Sequence, residues 1–226
     1  MNTYLLRLVA CLFLCISLNS FGAYYVKTDG TIVDPIQKTF GGSHSYSGNN
    51  LTSGADLSNA AIEFADLSDA DLFGVTFNSA QLPYVNLSNA NLSYASIIQS
   101  DMRGVNLQDA NLSYVNLSLS ILWFSNLSGA NLTGANLENT HLSGVDFSNA
   151  NLSGANLIGA DIMGEVMTGF PGAVYDGATY SESTLFPSGF DPVAEGMIFV
   201  SEVPLPAGIY LFLSGLVGLG LEKESK

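Results

Sequence analysis

A large apolar residue recurs at every fifth position from Leu57 to Ile162, which gives 22 repeats in one register without an insertion. A period of five fits neither a strand nor an α-helix, so the pattern must describe a repeating structural unit. Two residues before each apolar centre stands a small or β-branched residue, such as Ala55 or Val75. Because positions two apart point to the same side of extended backbone, both residues are predicted to face inward.

The other positions of the unit predict a turn. The residue between the small residue and the apolar centre is mostly Asp or Asn, as at Asp56 and Asn86, and should point outward. A small polar residue, often Ser, follows the centre, and the last position favours Gly, Asn or Asp. Those three residues tolerate left-handed backbone best. Each unit should therefore be a short extended side followed by a corner.

The pattern A(D/N)LSxA(D/N)LSG is clear in Ala130-Asn131-Leu132-Thr133-Gly134-Ala135-Asn136-Leu137 and again in Asn149-Ala150-Asn151-Leu152-Ser153-Gly154-Ala155-Asn156-Leu157. In these residues the chain resembles the pentapeptide repeat family. The resemblance implies an all-β solenoid, a right-handed quadrilateral β-helix in which four repeats form one square coil. We expect this β-helix over residues 55–165, between short capping segments at residues 23–54 and 166–202.

Residues 1–22 are predicted to be a secretory signal peptide. Arg7 supplies a positive charge, an apolar run follows from Leu8 to Leu18, and small residues precede a cleavage site between Gly22 and Ala23. An uncleaved anchor helix is the alternative. A lipoprotein signal at Cys15 fits less well, because Leu14 stands where a small residue is needed.

Residues 203–226 carry a second signal. The motif Val203-Pro204-Leu205-Pro206-Ala207 and the apolar run after it, which ends at Leu221, resemble the VPLPA variant of the PEP-CTERM sorting signal. The resemblance implies an exosortase-like sorting enzyme as a partner. It also implies a C-terminal apolar helix that holds the chain in the membrane of a Gram-negative bacterium before processing. The family usually ends in an arginine-rich cluster, whereas two lysines alternate with glutamates here. An ordinary C-terminal anchor or a packing helix is the alternative.

Composition excludes several functions. The formal net charge is −14, and Arg103 is the only Lys or Arg of the repeat array. Such a surface disfavours nucleic acid and anionic membranes as partners. Both cysteines, Cys11 and Cys15, fall within the signal peptide, so thiol catalysis and thiolate metal sites are not expected in the mature chain. The sequence reveals no nucleophile–base arrangement for His44 or His141, so we predict neither an enzyme nor a cofactor.

With four repeats per coil, residues twenty apart share a side. One corner then stacks Asp66, Asp69 and Asp71 on asparagines of the following coils. This arrangement predicts a ladder of hydrogen-bonded amides and carboxylates. The alternative is a weak calcium site where the three aspartates converge.

Another side differs because aromatic residues replace the polar ones. It is a candidate face for binding a surface protein or an exopolysaccharide. Its members are Phe64, Tyr84, Arg103, Trp123 and Phe124, and we expect Tyr94 and Tyr114 to stack one coil apart beside them. The alternative is intramolecular, with the N-terminal loop or the tail packed over these rings.

These features together predict an exported, non-enzymatic structural or interaction protein of the bacterial envelope or extracellular matrix, built as a rigid acidic rod. A DNA-mimicking inhibitor of a topoisomerase such as gyrase is one alternative that the family resemblance allows, but a signal peptide contradicts a cytoplasmic target. An envelope hydrolase is another, although no catalytic motif is visible.

Overall fold

The computed structural model describes residues 23–33, 36–38, 50–162 and 172–201. Its central part is a stack of coils in which one residue of each side pairs in parallel with the residue twenty positions later. Asp56 pairs with Thr76, for example, and Thr76 pairs with Ser96. A register of twenty residues equals four five-residue units, so each coil has four sides. The β-solenoid that the resemblance to pentapeptide repeat proteins implies is therefore confirmed.

Backbone hydrogen bonds join each coil to both of its neighbours. The N–H of Asn86 donates to the carbonyl of Ala65 in the coil before (2.9 Å), and the N–H of Leu87 donates to Asn106 in the coil after (2.7 Å). A third bond closes the turn within the coil, from the N–H of Ala90 to the carbonyl of Leu87 (3.1 Å). The same pattern repeats along the array, so its backbone is satisfied without any long strand.

The corners have the left-handed backbone that the sequence predicts. Every fifth residue from Gly54 to Gly159 has a φ between 55° and 71°. Because each corner interrupts the extended backbone, a side holds only one or two bridged residues. The only named strand within the array is β4 (Ala65–Asp66), which pairs antiparallel with β3 (Gln37–Lys38) from the N-terminal segment.

The apolar centres form four buried columns, which we use to number the sides. Every centre is shielded from solvent and packs on the centre of the next coil. Side one carries Leu57, Phe77, Ile97, Leu117, Leu137 and Leu157; side two carries Ile62, Leu82, Met102, Leu122, Leu142 and Ile162; side three carries Leu67, Leu87, Leu107, Leu127 and Phe147; side four carries Leu72, Leu92, Leu112, Leu132 and Leu152.

An N-terminal hairpin covers the first coil. Strands β1 (Tyr25–Val26) and β2 (Ile32–Val33) pair antiparallel. The carbonyl of Val26 accepts a hydrogen bond from the N–H of Asp71 (2.7 Å), and the buried Tyr25 bridges to Leu51. The ammonium group of Lys27 also reaches the carboxylate of Asp69 at 3.0 Å. These contacts close the open edge of the solenoid, which would otherwise invite aggregation.

The solenoid resumes beyond the uninterrupted repeats. Val174 pairs in parallel with Asp146, and Leu185 pairs with Asn156, so the intervals widen to 28 and 29 residues. Strand β5 (Thr179–Tyr180) then pairs in parallel with β6 (Ile198–Phe199). Part of the segment that we predicted to be a C-terminal cap thus adds further solenoid backbone on the last full coil.

The predicted signal peptide, sorting motif and C-terminal apolar helix fall on residues 1–22 and 202–226, outside the described residues. Among the residues that the structure does describe, no helix has the length and apolar character needed to cross a membrane.

A first prediction concerns the outward asparagine ladder. The amide of Asn91 donates to the carboxylate of Asp71 (3.0 Å) and accepts a bond from Asn111 (3.3 Å). Asn91→Asp should lower the free energy of unfolding by about 2 kcal/mol, because it replaces that bond by a contact between two carboxylates. Urea denaturation followed by circular dichroism would measure the loss.

The matched control is Asn131→Asp, on the same column, where the neighbour below is the neutral Asn111 and the existing bond is long, at 3.5 Å. This variant should lose less than about 1 kcal/mol. Equal losses in the two variants would contradict a stabilising role for the contact between Asn91 and Asp71.

A second prediction concerns Tyr175, which takes the place of the apolar centre on side three. Its ring stacks on Phe147 (5.4 Å between centroids, 10° between planes) and meets the edge of Phe190. Its hydroxyl is buried without a hydrogen bond in the described part of the chain, and burial raises the pKa of Tyr175 well above its usual value. Tyr175→Phe should keep or raise the melting temperature, because it removes an unsatisfied polar atom.

Tyr175→Ala is the contrasting variant, since it also removes the buried ring, and it should lower stability by about 3–5 kcal/mol. Thermal unfolding of both variants separates the two contributions. A lower melting temperature for Tyr175→Phe would mean that the hydroxyl contributes a hydrogen bond after all.

Candidate functional site

Three of the predicted aromatic residues share the corner that follows side two. Phe64, Tyr84 and Phe124 all have positive φ there, and all are exposed. The rings of Phe64 and Tyr84 stack with centroids 5.3 Å apart and planes 10° from parallel. The ring of Tyr84 leans on to the next coil and covers Gly104, where a Cβ atom would lie only 2.7 Å from it.

Tyr94 and Tyr114 form a second stack, with centroids 5.1 Å apart and planes at 19°. Phe73, which the sequence reasoning did not single out, contacts Tyr94 at 5.7 Å. We expected this stack to lie beside Tyr84, but it does not. Tyr94 is ten positions from Tyr84, half of the twenty-residue coil, so the two stacks occupy diagonally opposite corners of the rod. The prediction that all seven residues share one continuous face is therefore wrong.

The direction of the stacks limits what they can bind. The rings face one another along the rod axis, so their flat faces are covered by neighbouring rings or by glycine backbone. A sugar that packs on an aromatic face would find mainly ring edges and hydroxyl groups here. The stacks thus stabilise the bulky corner residues through packing within the rod. This packing differs from the intramolecular alternative predicted above, in which the N-terminal loop or the tail covers the rings.

Charged groups on side two are paired along the rod. The guanidinium of Arg103 donates from Nε to Asp101 Oδ1 at 2.8 Å, and this bond lowers the pKa of the Asp101 carboxyl from its usual value. Two coils further on, Nδ1 of His141 lies 3.9 Å from Asp161 Oδ2. Trp123 approaches the ring of His141 edge-on, with centroids 5.9 Å apart. Arg103 and Trp123 therefore occupy equivalent positions on side two, one coil apart.

Ser143, His141 and Asp161 come together, a cluster that their sequence spacing did not reveal. The hydroxyl of Ser143 donates to Asp161 Oδ2 at 3.2 Å, the same oxygen that faces His141. A serine nucleophile needs its hydroxyl directed at the histidine that removes the proton. Because Ser143 donates to the carboxylate instead, this cluster does not form a serine–histidine nucleophile.

The three aspartates considered for calcium are engaged separately. Asp66 Oδ1 accepts the amide of Asn86 (2.9 Å), and Asp69 pairs with Lys27. Asp71 accepts the amide of Asn91. Within the described residues there is no cluster of three or more His, Cys, Asp or Glu side chains that could hold a metal ion. Asp66 and Asp71 thus belong to hydrogen-bonded ladders, whereas Asp69 forms an ion pair with the N-terminal segment.

Leu119 is a residue of the surface that the sequence reasoning missed. It occupies a corner position, with a φ of 63°, and its exposed fraction is 48%. The repeat register could have revealed this apolar corner, because the equivalent corners one coil away are the polar residues Gln99 and Asn139. Of the other predicted site residues, Ala23 is buried in the N-terminal cap, whereas Gly22 and the motif Val203 to Ala207 lie outside the described residues.

The family described as pentapeptide repeats matches the chain in eight copies, over residues 53–83, 86–123 and 125–162. This match and the twenty-residue coil agree, so the chain contains pentapeptide repeats, as the sequence predicted. No curated protein matches the chain in sequence.

Several solved structures are similar to the chain. The pentapeptide repeat protein Rfr23 from the cyanobacterium Cyanothece 51142 is 29% identical over 59% of this chain and 89% of its own, with a TM-score of 0.36. A pentapeptide repeat protein of the Arabidopsis thaliana thylakoid lumen is 23% identical over 64% of this chain and 74% of its own, with a TM-score of 0.32. QnrB1, a plasmid-mediated fluoroquinolone resistance protein, is 18% identical over 74% of this chain and 89% of its own, with a TM-score of 0.23.

The contact between Tyr84 and Gly104 gives a third prediction. Gly104→Ala and Gly74→Ala both place a methyl group at a φ near 62°, but only Gly104 lies under a ring, whereas nothing is within 4 Å of the Gly74 position. Gly104→Ala should therefore be less stable than Gly74→Ala by about 1–2 kcal/mol. Thermal unfolding of the two variants measures the difference.

A double variant tests whether the ring is the cause. Tyr84→Asn keeps a residue that accepts left-handed backbone and removes the ring, so it should abolish the extra cost of Gly104→Ala. If Gly104→Ala is equally harmful with and without the Tyr84 ring, the ring does not pack on this glycine in solution.

Proposed function

We propose that the chain is an exported, non-enzymatic structural and interaction protein of the bacterial envelope or extracellular matrix. In this proposal the repeats form a rigid acidic rod that the C-terminal signal sorts to its place. The observation that carries the proposal is the combination, on one chain, of a signal-like N-terminus and a Val203 to Ala207 sorting motif on either side of the repeats.

The surface of the rod supports a role in contact rather than in catalysis. Side chains on three sides are tied into coil-to-coil ladders, such as the amide of Asn136 on Asn116 (3.2 Å), which leaves few polar groups to act on a substrate. The Ser143 cluster lacks the geometry of a nucleophile. The partners proposed are an exosortase-like enzyme and a surface protein or exopolysaccharide, together with the membrane before the C-terminal segment is processed.

A fourth prediction tests the address of the protein. An epitope tag inserted after Ser188, in an exposed turn, should leave the buried columns intact. Intact mass and location would then be measured in whole cells, protease-shaved cells and medium. We expect loss of residues 1–22 and of the residues after Val203, with the tag accessible from outside.

Two variants make the test specific. Pro204→Ala with Pro206→Ala should block C-terminal processing while export continues, and deletion of residues 2–22 should block export itself. A full-length product that stays in the cytoplasm would overturn the proposal and favour the topoisomerase inhibitor as the alternative.

A further inference from the structure

Side two is the side whose outward column is interrupted by an apolar residue. On the other sides the outward position between corners is polar in every coil from Asp56 to Asn156. On side two Ile121 stands between Asp101 and His141, and its side chain has no polar atom with which to continue a ladder. Something other than coil-to-coil hydrogen bonding therefore determines the residue at this position.

Ile121 belongs to an apolar band that crosses side two within a single coil. Along this stretch Ser120 and Leu122 are buried, while the residues that alternate with them point outward. We define the apolar band as Leu119, Ile121, Trp123 and Phe124. Leu119 and Phe124 stand at the two corners, with exposed fractions of 48% and 52%, and both have positive φ.

The fold gains little from Leu119. A bulky side chain at a left-handed corner costs about 1–2 kcal/mol, and exposure denies Leu119 most of the hydrophobic gain that could offset this cost. The two aromatic stacks are different, because each of their exposed rings contacts a ring of the neighbouring coil. The band thus combines backbone strain, exposed apolar surface and an apolar residue in a mostly polar outward column, three features that binding of a partner would explain.

The charge around the band indicates which partner fits. Residues 55–162 contain ten Asp or Glu residues and one Arg, and that Arg is paired with Asp101. On the other side of the band Asp161 faces His141. A complementary partner would place an apolar side chain on the band and basic side chains toward the acidic rod.

We propose that the apolar band is the docking site for a protein segment that presents an apolar anchor flanked by Lys or Arg. This inference rests on the proposed interaction function and identifies its contact surface and the class of its partner. A second copy of the chain fits less well, since it would bring the same negative charge. A glycan also fits less well, because Trp123 is half-buried and its ring already contacts His141.

The fifth prediction uses Trp123, the only Trp of the chain, as a reporter inside the band. The full chain is titrated with the peptide acetyl-Lys-Lys-Gly-Leu-Phe-Gly-Lys-Lys-amide, which has no Trp or Tyr of its own. We expect a saturable change in Trp123 fluorescence that weakens as salt is added. Peptides with Ser-Ser in place of Leu-Phe, or with Glu in place of Lys, should bind at least tenfold more weakly.

The decisive variant is Leu119→Asn combined with Ile121→Asn. Asparagine accepts the corner conformation and can continue the outward ladder, so this variant should melt at or above the wild-type temperature. It should nevertheless bind the basic peptide at least tenfold more weakly. Ser79→Asn, at the same corner two coils earlier, is the control and should leave binding unchanged.

Four outcomes would overturn the inference. They are equal binding of all three peptides, undiminished binding by the double variant, a lower melting temperature of that variant, and a response to cellohexaose without a response to the basic peptide. A concentration-dependent Trp123 change without peptide, lost in the double variant, would assign the band to a second copy instead. Because these measurements use purified protein, their failure is distinguishable from a failure of export.

Discussion

The backbone hydrogen bonds between coils are the constraint on which the rest of this structure depends. Each unit donates to the coil before it and to the coil after it, so a change in the length of one unit would disrupt its pairing with both neighbours. This requirement explains why the apolar centre recurs without an insertion from Leu57 to Ile162. It also explains why the corners need left-handed backbone, because only a tight turn after each short side returns the chain to the same position one coil later.

Once the backbone is satisfied in this way, the outward side chains need only be compatible with one another. Asn suits this position because its amide can donate to the previous coil while its oxygen accepts from the next, as Asn86 does between Asp66 and Asn106. A row of Asn and Asp on such a rod therefore indicates structure before it indicates a ligand. The same reasoning accounts for the aspartates that could have been taken for a calcium site.

The corners and the buried positions could be predicted because both follow from a local five-residue rule, whereas the coil of four repeats was implied by the resemblance to pentapeptide repeat proteins. Contacts between residues on either side of the interruption in the repeats could not be predicted from the sequence. Tyr175 stacks on Phe147 across an interval of 28 residues, and no period connects them. The hairpin that covers the first coil likewise depends on non-local pairing, such as Val26 with Asp71. The diagonal separation of Tyr84 from Tyr94 was within reach of the repeat rule, because ten residues are half a coil, and grouping both by residue type alone was the error.

A rod whose surface follows a rule makes departures from the rule informative. Tyr84, Tyr94 and Tyr114 depart from it at corners, but stacking and coverage of glycines account for their positions within the fold. Leu119 has a strained backbone and an exposed side chain, and in the same coil Ile121 interrupts the polar column of side two. Departures that the fold explains are features of stability, whereas departures that cost the fold free energy and coincide on one side are features of contact. By that criterion the second side of the rod, and not the aromatic residues as a class, is the surface that we propose for its interactions.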